Sequence, residues 1–324
     1  MRRSRLLLLA VPAALLLAAC TSNGGTTAAP SATPTACSAT TVKSGVLTIG
    51  TDKPAYPPYF VDDNPTNGKG FESAVAYAVA KQIGYPATKV RWVTVPFNNS
   101  YAPGKKAFDF DINQISITPE RAKAVTFSDG YYTVNQAVIA LKTSSIASAK
   151  SIADLKSARL GAQVGTTQLS FIDDTINPST QPRVYNDTAA ATAALKAKQI
   201  DGLVVDLPTA YYITAAELDG SKIVCQFKAQ DGPNAEKFGL LLQKGNTLAS
   251  CLNTALEALK SSGQLQQIQD KWLAAKLAGQ TGGKDQTARA DAPKAKEACG
   301  DSCAMDVDDE AKNPQAAPAP GDAS

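Results

Sequence analysis

The sequence contains no histidine, and this absence excludes several kinds of chemistry. Ser-His-Asp and Cys-His catalysis need an imidazole as the base, and a zinc site with mixed Cys and His ligands needs one as a ligand. Cys299 and Cys303 stand close together in "CGDSC", but two thiols are a weak metal signal, and a small disulfide is the simpler interpretation for a chain that leaves the cytoplasm. We therefore predict a protein without metal or cofactor.

An excess of charge of either sign is also missing. The chain has 32 Lys+Arg against 29 Asp+Glu, which gives a formal net charge of +3 at pH 7. Basic residues do not form a stripe that alternates with aromatic residues, the pattern expected of a nucleic-acid surface. The composition therefore predicts no nucleic-acid partner.

A long apolar run, residues 6–19, follows the basic segment "MRRSR" at the N-terminus. It is short for a membrane span, which needs roughly 20 residues, and has the flanks of a secretory signal. It ends in "LAAC", which resembles a bacterial lipobox, where the cysteine is diacylated and becomes the first residue of the mature chain. An ordinary signal peptide that happens to contain a cysteine is the alternative. We predict that residues 1–20 are a lipoprotein signal peptide with Cys20 as the lipidated residue.

Few residues at either end of the remaining chain can be buried. Residues 21–41 are rich in Ser, Thr, Ala, Gly and Pro, and predict a flexible tether. Residues 279–324 are rich in Ala, Pro, Lys and Asp, and predict a disordered tail. The globular part is then residues 42–278, which we expect at the extracytoplasmic face of the cell membrane, attached through the lipid anchor only.

The globular part reads as alternating strands and helices. Residues 45–52 and 108–117 have the apolar content of strands, and the segment from Phe71 to Gly84 has apolar residues at helical spacing. A second series of strands and helices begins near Val134, including a helix capped by Asp187. This alternation predicts an α/β fold with parallel, doubly wound sheets in two lobes.

Polar groups follow the apolar strands where these end. They are Asp52, residues 113–116, residues 163–167 and Asp206. In open α/β sheets, ligands bind beyond the carboxyl ends of the strands. We therefore expect these groups to meet at one ligand site.

Six segments in this order resemble a known family: "IGTD…YPPYF…GFE", "QISITPERAKAVTFSDGYY", "GAQVGTT", "IDGLVVDLP", "FGLLLQKGN" and "KWL". They are similar to the polar-amino-acid-binding components of ABC importers, the type II periplasmic solute-binding proteins, over residues 46–273. The resemblance implies a two-lobed clamp. Lobe one would hold residues 42–135 and 230–278, and lobe two residues 136–229, joined by crossings near 135–137 and 226–229.

The same resemblance implies a non-enzymatic, monomeric receptor that binds a polar L-amino acid and delivers it to the permease subunits of an ABC importer. Arg121 would bind the ligand α-carboxylate, because a guanidinium offers a planar pair of donors. Ser116, the backbone at Gln114 and Thr167 would assist at this carboxylate. Asp206 would accept the α-ammonium group.

The remaining site residues would surround the ligand side chain. By resemblance, Tyr56 and Phe97 form an aromatic sandwich, while Gln114 and Gln163 face the side chain with hydrogen-bonding groups. Asp52 favours an amide, an ammonium or a guanidinium group, because an unpaired buried carboxylate is costly. Glutamine, arginine and lysine all remain open as the ligand.

Each assignment has a structural alternative. Arg121 would otherwise be a surface residue paired with Glu120 or Asp129, and Asp206 only the N-cap of the helix that contains Pro208. Tyr56 and Phe97 would otherwise be core aromatics. At the level of function, the alternative is a clamp-fold dehydratase that acts on a small carboxylic acid with a carboxyl group in the cleft as general acid.

The cysteines of the globular part predict one disulfide. Cys225 lies on the expected strand "KIVCQF", and Cys251 lies on the helix that follows "FGLLLQKGN". Both belong to the folded region of an exported protein, where disulfides persist. We predict that these two pair, that Cys299 and Cys303 pair locally, and that Cys37 is left over.

Overall fold

The computed structural model describes residues 40–227 and 235–274. The predictions for the signal peptide, most of the tether and the C-terminal tail lie outside these residues, as do those for Cys20, Cys37, Cys299 and Cys303. Among the residues described, none of the helices has the length and apolar character needed to cross a bilayer.

Ten strands and eight α-helices build the described part of the chain. The strands are β1 (Leu47–Thr51), β2 (Val90–Thr94), β3 (Phe110–Asp111), β4 (Val125–Thr133), β5 (Gln136–Leu141), β6 (Leu160–Gln163), β7 (Arg183–Tyr185), β8 (Gly202–Asp206), β9 (Ser221–Phe227) and β10 (Lys237–Gln243). The α-helices are α1 (Phe71–Gln82), α2 (Phe97–Ser100), α3 (Pro119–Ala124), α4 (Thr167–Phe171), α5 (Thr188–Lys196), α6 (Leu207–Tyr212), α7 (Leu248–Ser261) and α8 (Gln264–Gln269). The helices α4, α6 and α8 each continue into one π-helical turn.

The strands form two five-stranded sheets. One has the order β2-β1-β3-β10-β4 and the other β7-β6-β8-β5-β9. We call the parts of the chain around these sheets lobe one and lobe two. The chain passes from lobe one to lobe two between β4 and β5, and returns between β9 and β10, where residues 228–234 are not described.

Both sheets are mixed, so the prediction of parallel sheets was wrong in part. The pairs β1–β2, β1–β3, β6–β7 and β6–β8 are parallel, whereas β10 is antiparallel to β3 and β4, and β5 is antiparallel to β8 and β9. The two crossings explain the pairs β4–β10 and β5–β9. The chain runs through these crossings in opposite directions, so the strands beside them also run in opposite directions.

Several local predictions were accurate. Asp187 caps α5, and its Oδ1 accepts a hydrogen bond from the Ala190 backbone nitrogen at 2.7 Å. Pro208 stands in the first turn of α6, a position where its missing N–H group costs no helical hydrogen bond. The strand β4 was not predicted, although it is nine residues long. Its polar residues, such as Asp129, obscure the apolar pattern.

Each lobe has its own apolar core. In lobe one, α1, α7 and α8 pack on the sheet, and Leu47, Ile49 and Phe110 have no exposed surface. In lobe two, apolar clusters lie on both faces of the sheet, since Val138 and Ala137 belong to different clusters. Both sheets are therefore packed into apolar cores, and the polar residues after their strands extend from these buried sheets.

Cys225 and Cys251 are disulfide-bonded, as the sequence predicted. Cys225 belongs to the core of lobe two, and Cys251 packs against the core of lobe one. The bridge therefore attaches β9 to α7 and closes a loop that contains the second crossing.

Candidate functional site

A cavity that is partly open to solvent lies between the two lobes. Residues from both sheets line it at the ends of their strands and in the loops that follow. All nine residues selected from the sequence are part of this lining: Asp52, Tyr56, Phe97, Gln114, Ser116, Arg121, Gln163, Thr167 and Asp206. Sequence reasoning missed further lining residues, among them Pro54, Gln168, Asp187, Thr188 and Thr209.

Arg121 is buried in the cavity wall, with 9% of its surface exposed. Its Nη1 donates to the Ser116 carbonyl oxygen at 2.7 Å, and its Nη2 donates to the Gly165 carbonyl oxygen across the cleft at 2.9 Å. Glu120, which would pair with Arg121 on an open surface, pairs with Lys123 instead. The surface alternative was therefore wrong.

Aromatic rings fix the direction of the Arg121 guanidinium. Its Cζ lies 5.5 Å from the centre of the Phe97 ring and 4.8 Å from that of Tyr101. A guanidinium has five N–H donors, and the two carbonyl oxygens take only two of them. Burial lowers the pKa of Arg121, but a guanidinium remains charged at any ordinary pH. The cavity thus has a permanent, oriented cation with further donors.

Gly165 allows the lobes to approach closely beside this arginine. Its φ of +72° lies in the left-handed region, and an added Cβ would lie 2.2 Å from Tyr101 Oη and 2.3 Å from Asn98 Oδ1. Only glycine combines this conformation with this contact without strain. The glycine turn after β6 is therefore required where lobe two meets lobe one.

Asp206 ends β8 in the cavity wall opposite the arginine. Its Oδ1 accepts a hydrogen bond from Gln168 Nε2 at 2.5 Å. Asp206 is the N-cap residue of α6 by position, as the alternative proposed, but its side chain makes no capping bond, so capping does not account for the carboxylate. Burial raises the pKa of Asp206 well above its ordinary value, and repulsion from Glu236 and Glu72 raises it further. A cationic group in the cavity would offset this cost of the charged form.

Two more carboxylates, those of Asp52 and Asp187, line the cavity. Asp52 Oδ1 accepts from the Lys53 nitrogen at 2.7 Å, and Oδ2 from the Phe97 nitrogen at 3.2 Å. Burial raises the pKa of Asp52, and the charge of Asp187 in lobe two adds to the rise. Gln163 is held nearby, because its Oε1 accepts from Thr188 Oγ1 at 3.0 Å.

The two aromatic residues act as core and as lining at once. Phe97 is 8% exposed and packs in an apolar cluster of lobe one. The Tyr56 ring packs edge to face with Tyr212 of lobe two at 5.8 Å, and its hydroxyl donates to Glu217 Oε2. The alternatives of core aromatic and ligand wall are therefore compatible in this fold.

Ser116 and Thr167 share one partner that sequence reasoning missed. Their hydroxyl groups both donate to Glu236 Oε1 at 2.6 Å, and Glu236 Oε2 accepts from Gln136 Nε2 at 2.9 Å. Glu236 stands on the segment that leads into β10. The sequence offered no period or motif at this position that would have indicated the contact.

Gln114 depends on a second missed residue, Glu72 of α1. Its backbone nitrogen donates to Glu72 Oε1 at 2.7 Å, and its side-chain amide donates to Glu72 Oε2. These bonds hold Gln114 at a φ of +49°, which is unusual for a residue other than glycine. Glu72 was recognisable in principle, since it shares the apolar face of α1 with Val79 at helical spacing.

We expect Glu72→Gln to remove the part of the pH dependence of folding stability that comes from the titration of Glu72. Burial raises the Glu72 pKa from 4.5 to about 7. The stability linked to this proton is fully present below about pH 4.5 and is lost as the pH rises through about 7. The pKa difference corresponds to a loss on the order of 3 kcal/mol in the free energy of unfolding.

Denaturant titrations between pH 4 and pH 9 measure this dependence. The Gln variant should lose less stability than the wild type over this range, because its amide can replace the protonated carboxyl. Glu257→Gln, on the exposed face of α7, is the matched control and should follow the wild type. Parallel profiles for wild type and Glu72→Gln would contradict the assignment.

Comparison with known proteins relates this chain to a family. The model of the bacterial extracellular solute-binding proteins, family 3, matches residues 47–275. The ABC transporter arginine-binding protein 1 of Escherichia coli (strain K12) is 32% identical over 221 residues, which cover 67% of this chain and 86% of that protein.

Two solved structures share the fold. An ancestral arginine-binding protein with glutamine bound has a TM-score of 0.58 at 30% identity and covers 70% of this chain and 97% of its own. An ancestral amino acid-binding protein, described as a precursor of cyclohexadienyl dehydratase, has a TM-score of 0.58 at 29% identity, with 71% and 95% covered.

Proposed function

This chain belongs to the bacterial extracellular solute-binding proteins of family 3, an amino acid-binding family of ABC transporters, and we propose that it binds a basic L-amino acid, L-arginine or L-lysine. We further propose that it delivers this ligand to the permease subunits of an importer. Among the relatives, the E. coli protein is named for arginine, which supports the ligand class.

The charge content of the cavity carries this proposal. One arginine and three carboxylates line the described cavity: Arg121, Asp52, Asp187 and Asp206. An α-amino acid needs one cation for its carboxylate and one anion for its ammonium group, which Arg121 and Asp206 supply. Asp52 and Asp187 are then left at the side-chain end, where a guanidinium or ammonium group would offset their charges. A neutral amide would leave both carboxylates without a cation.

Calorimetric titration with the twenty amino acids tests the ligand class. L-Arginine or L-lysine should bind most tightly, and L-glutamine should bind more weakly because its amide carries no charge. A clear preference for glutamine or for an apolar amino acid would contradict the basic-ligand proposal.

We expect Asp52→Asn to weaken L-arginine binding about tenfold or more, which is about 1.4 kcal/mol. Removing one member of a partly desolvated charge pair leaves the other charge without its partner. L-Glutamine should lose less than about threefold, since it brings no charge to this end. Asp173→Asn, at an exposed position of lobe two, is the control for the change of charge. Equal losses of affinity for both ligands would show that Asp52 does not distinguish ligands by the charge of their side chains.

Closure of the clamp would connect binding to delivery. Arg121 and Asp52 belong to lobe one, and Asp187 and Asp206 to lobe two, so a ligand in the cavity contacts both lobes. Such a ligand binds the closed form better than an open form, and only this difference shifts the balance between them. The chain segments between the lobes would absorb the rotation.

We also propose attachment to the membrane through a lipid on Cys20, as the lipobox indicates. A Cys20→Ser variant should be released from the membrane fraction, whereas the wild type should remain with it. Equal distribution of the two proteins would contradict the anchor.

A dehydratase remains the second candidate, because burial raises the pKa of Asp206, which is what a general acid needs. The Arg121 charge opposes that rise, and a carboxylate paired with a ligand ammonium is not available as an acid. Incubation with a prephenate-like acid should yield no product. Turnover that is lost in Asp206→Asn would favour the enzyme instead.

A further inference from the structure

We propose that Glu236 is a positioning residue that turns the hydroxyl groups of Ser116 and Thr167 into acceptors for the ligand α-ammonium group. This inference rests on the proposed amino acid site and assigns a role within it. It also differs from the expectation that these hydroxyls assist at the α-carboxylate.

The hydrogen bonds fix the direction of the two hydroxyl protons. A carboxylate only accepts hydrogen bonds, and a hydroxyl has one proton to donate and two lone pairs that accept. Both contacts to Glu236 Oε1 are 2.6 Å long, a length typical of a hydroxyl that donates to a charged oxygen. The hydroxyl protons of Ser116 and Thr167 therefore point towards Glu236 Oε1.

Glu236 acts from behind the cavity wall. Ser116 and Thr167 line the cavity, whereas Glu236 is not among the described lining residues. Its second oxygen is held by Gln136 at 2.9 Å, which keeps the carboxylate in place. The hydroxyls therefore turn their protons away from the cavity and present lone pairs to it.

Lone pairs suit an ammonium group and not a carboxylate. An ammonium group has three donors and no acceptor, so it can use Ser116, Thr167 and Asp206 together. The carboxylate of the same ligand would find only lone pairs at these hydroxyls, and its donors are those of Arg121. Burial raises the pKa of Asp206, and the nearby negative charge of Glu236 adds to that rise.

Glu236 is in addition a contact between the lobes. Ser116 belongs to lobe one, while Thr167 and Gln136 belong to lobe two. The acceptor arrangement is complete only where the lobes meet, so recognition of the ammonium group is linked to the closed form.

The test compares two ligands that differ only in the ammonium group. L-Arginine and 5-guanidinopentanoate are titrated into wild type, Glu236→Gln and the exposed control Glu257→Gln. We expect Glu236→Gln to weaken L-arginine binding about tenfold or more and 5-guanidinopentanoate binding less than about threefold. Equal losses for the two ligands, or no loss, would overturn the proposal, because a merely structural role affects both alike.

A second variant keeps the test decisive. Thr167→Val removes one acceptor with little change of shape and should reduce the same preference for the ammonium group. Combined with Glu236→Gln, its effect should be less than additive, since both act on one hydroxyl. Strictly additive losses would contradict the proposal.

The experiment also distinguishes a failure of the basic-ligand proposal from a failure of the Glu236 proposal. The same titrations are made with L-glutamine and 4-carbamoylbutanoate, which also differ only in the ammonium group. A protein that prefers glutamine but loses its ammonium preference in Glu236→Gln refutes the basic ligand and supports the role of Glu236. Should the wild type bind none of the four, Ser116→Ala and Glu236→Gln must still show coupled losses of unfolding free energy, and independent losses overturn the hydroxyl arrangement itself.

Discussion

Arg121→Ala should weaken binding of the amino acid ligand by at least about thirtyfold. Truncating one partner of a buried, hydrogen-bonded charge pair costs about 2–5 kcal/mol, and the lower figure corresponds to about thirtyfold in the dissociation constant. Among the described residues that line the cavity, Arg121 is the one basic residue. Its guanidinium is held in place by two carbonyl oxygens and two aromatic rings. Calorimetric titration of the variant measures the loss.

Two controls separate the role of the charge from that of the packing. Arg121→Lys keeps the charge but loses the planar pair of donors, so its affinity should lie between those of wild type and Arg121→Ala. Arg91→Ala, at an exposed position of β2, should bind like the wild type. The alanine variant also loses its contacts across the cleft, so circular dichroism must show that it is folded. Wild-type affinity in a folded Arg121→Ala protein would refute the carboxylate assignment.

Removing the disulfide should cost about 3–4 kcal/mol in the free energy of unfolding. In the chain-entropy model, a bridge that closes a loop of this size, residues 225–251, stabilises by about that amount. The variant combines Cys225→Ala, since this thiol is 1% exposed, with Cys251→Ser. Urea titration should show a lower midpoint and, because the unfolded chain is less constrained, a somewhat larger slope.

A reducing agent gives the matched control for this prediction. It should lower the midpoint of the wild type towards that of the double variant and leave the double variant nearly unchanged. The other cysteines are common to both proteins, so their response is measured in the variant. Equal midpoints for oxidised wild type and variant would show that the bridge contributes little, as native-state strain can cause.

The sequence predicted the components of the site well. Strands that end in polar residues, a Gly turn and an arginine in the first turn of a helix are local patterns, and the nine residues chosen from them and from the family resemblance all line one cavity. The capping of α5 by Asp187 and the position of Pro208 are equally local. Such features depend on a few neighbouring residues, and these can be read directly from the chain.

Features that depend on distant parts of the chain were missed or wrong. The prediction of parallel sheets failed at β4, β5, β9 and β10, because strand direction there depends on how the chain crosses twice between the lobes. Whether Arg121 lies on the surface or in the cavity wall was also open, since its neighbours along the chain fit either location. Burial against Phe97 and Tyr101 decides it.

Only the tertiary structure showed which acidic residues bind the side chains of the cavity lining and hold them in place. Glu72 and Glu236 are acidic residues far along the chain from their partners Gln114, Ser116 and Thr167. The sequence by itself determined which polar side chains follow the strands, and these strand ends and turns place many of them at the cavity. Only the packing of the two lobes decided which hydrogen-bonding atoms those side chains turn towards a ligand, since each proton is directed by a partner brought close by the fold.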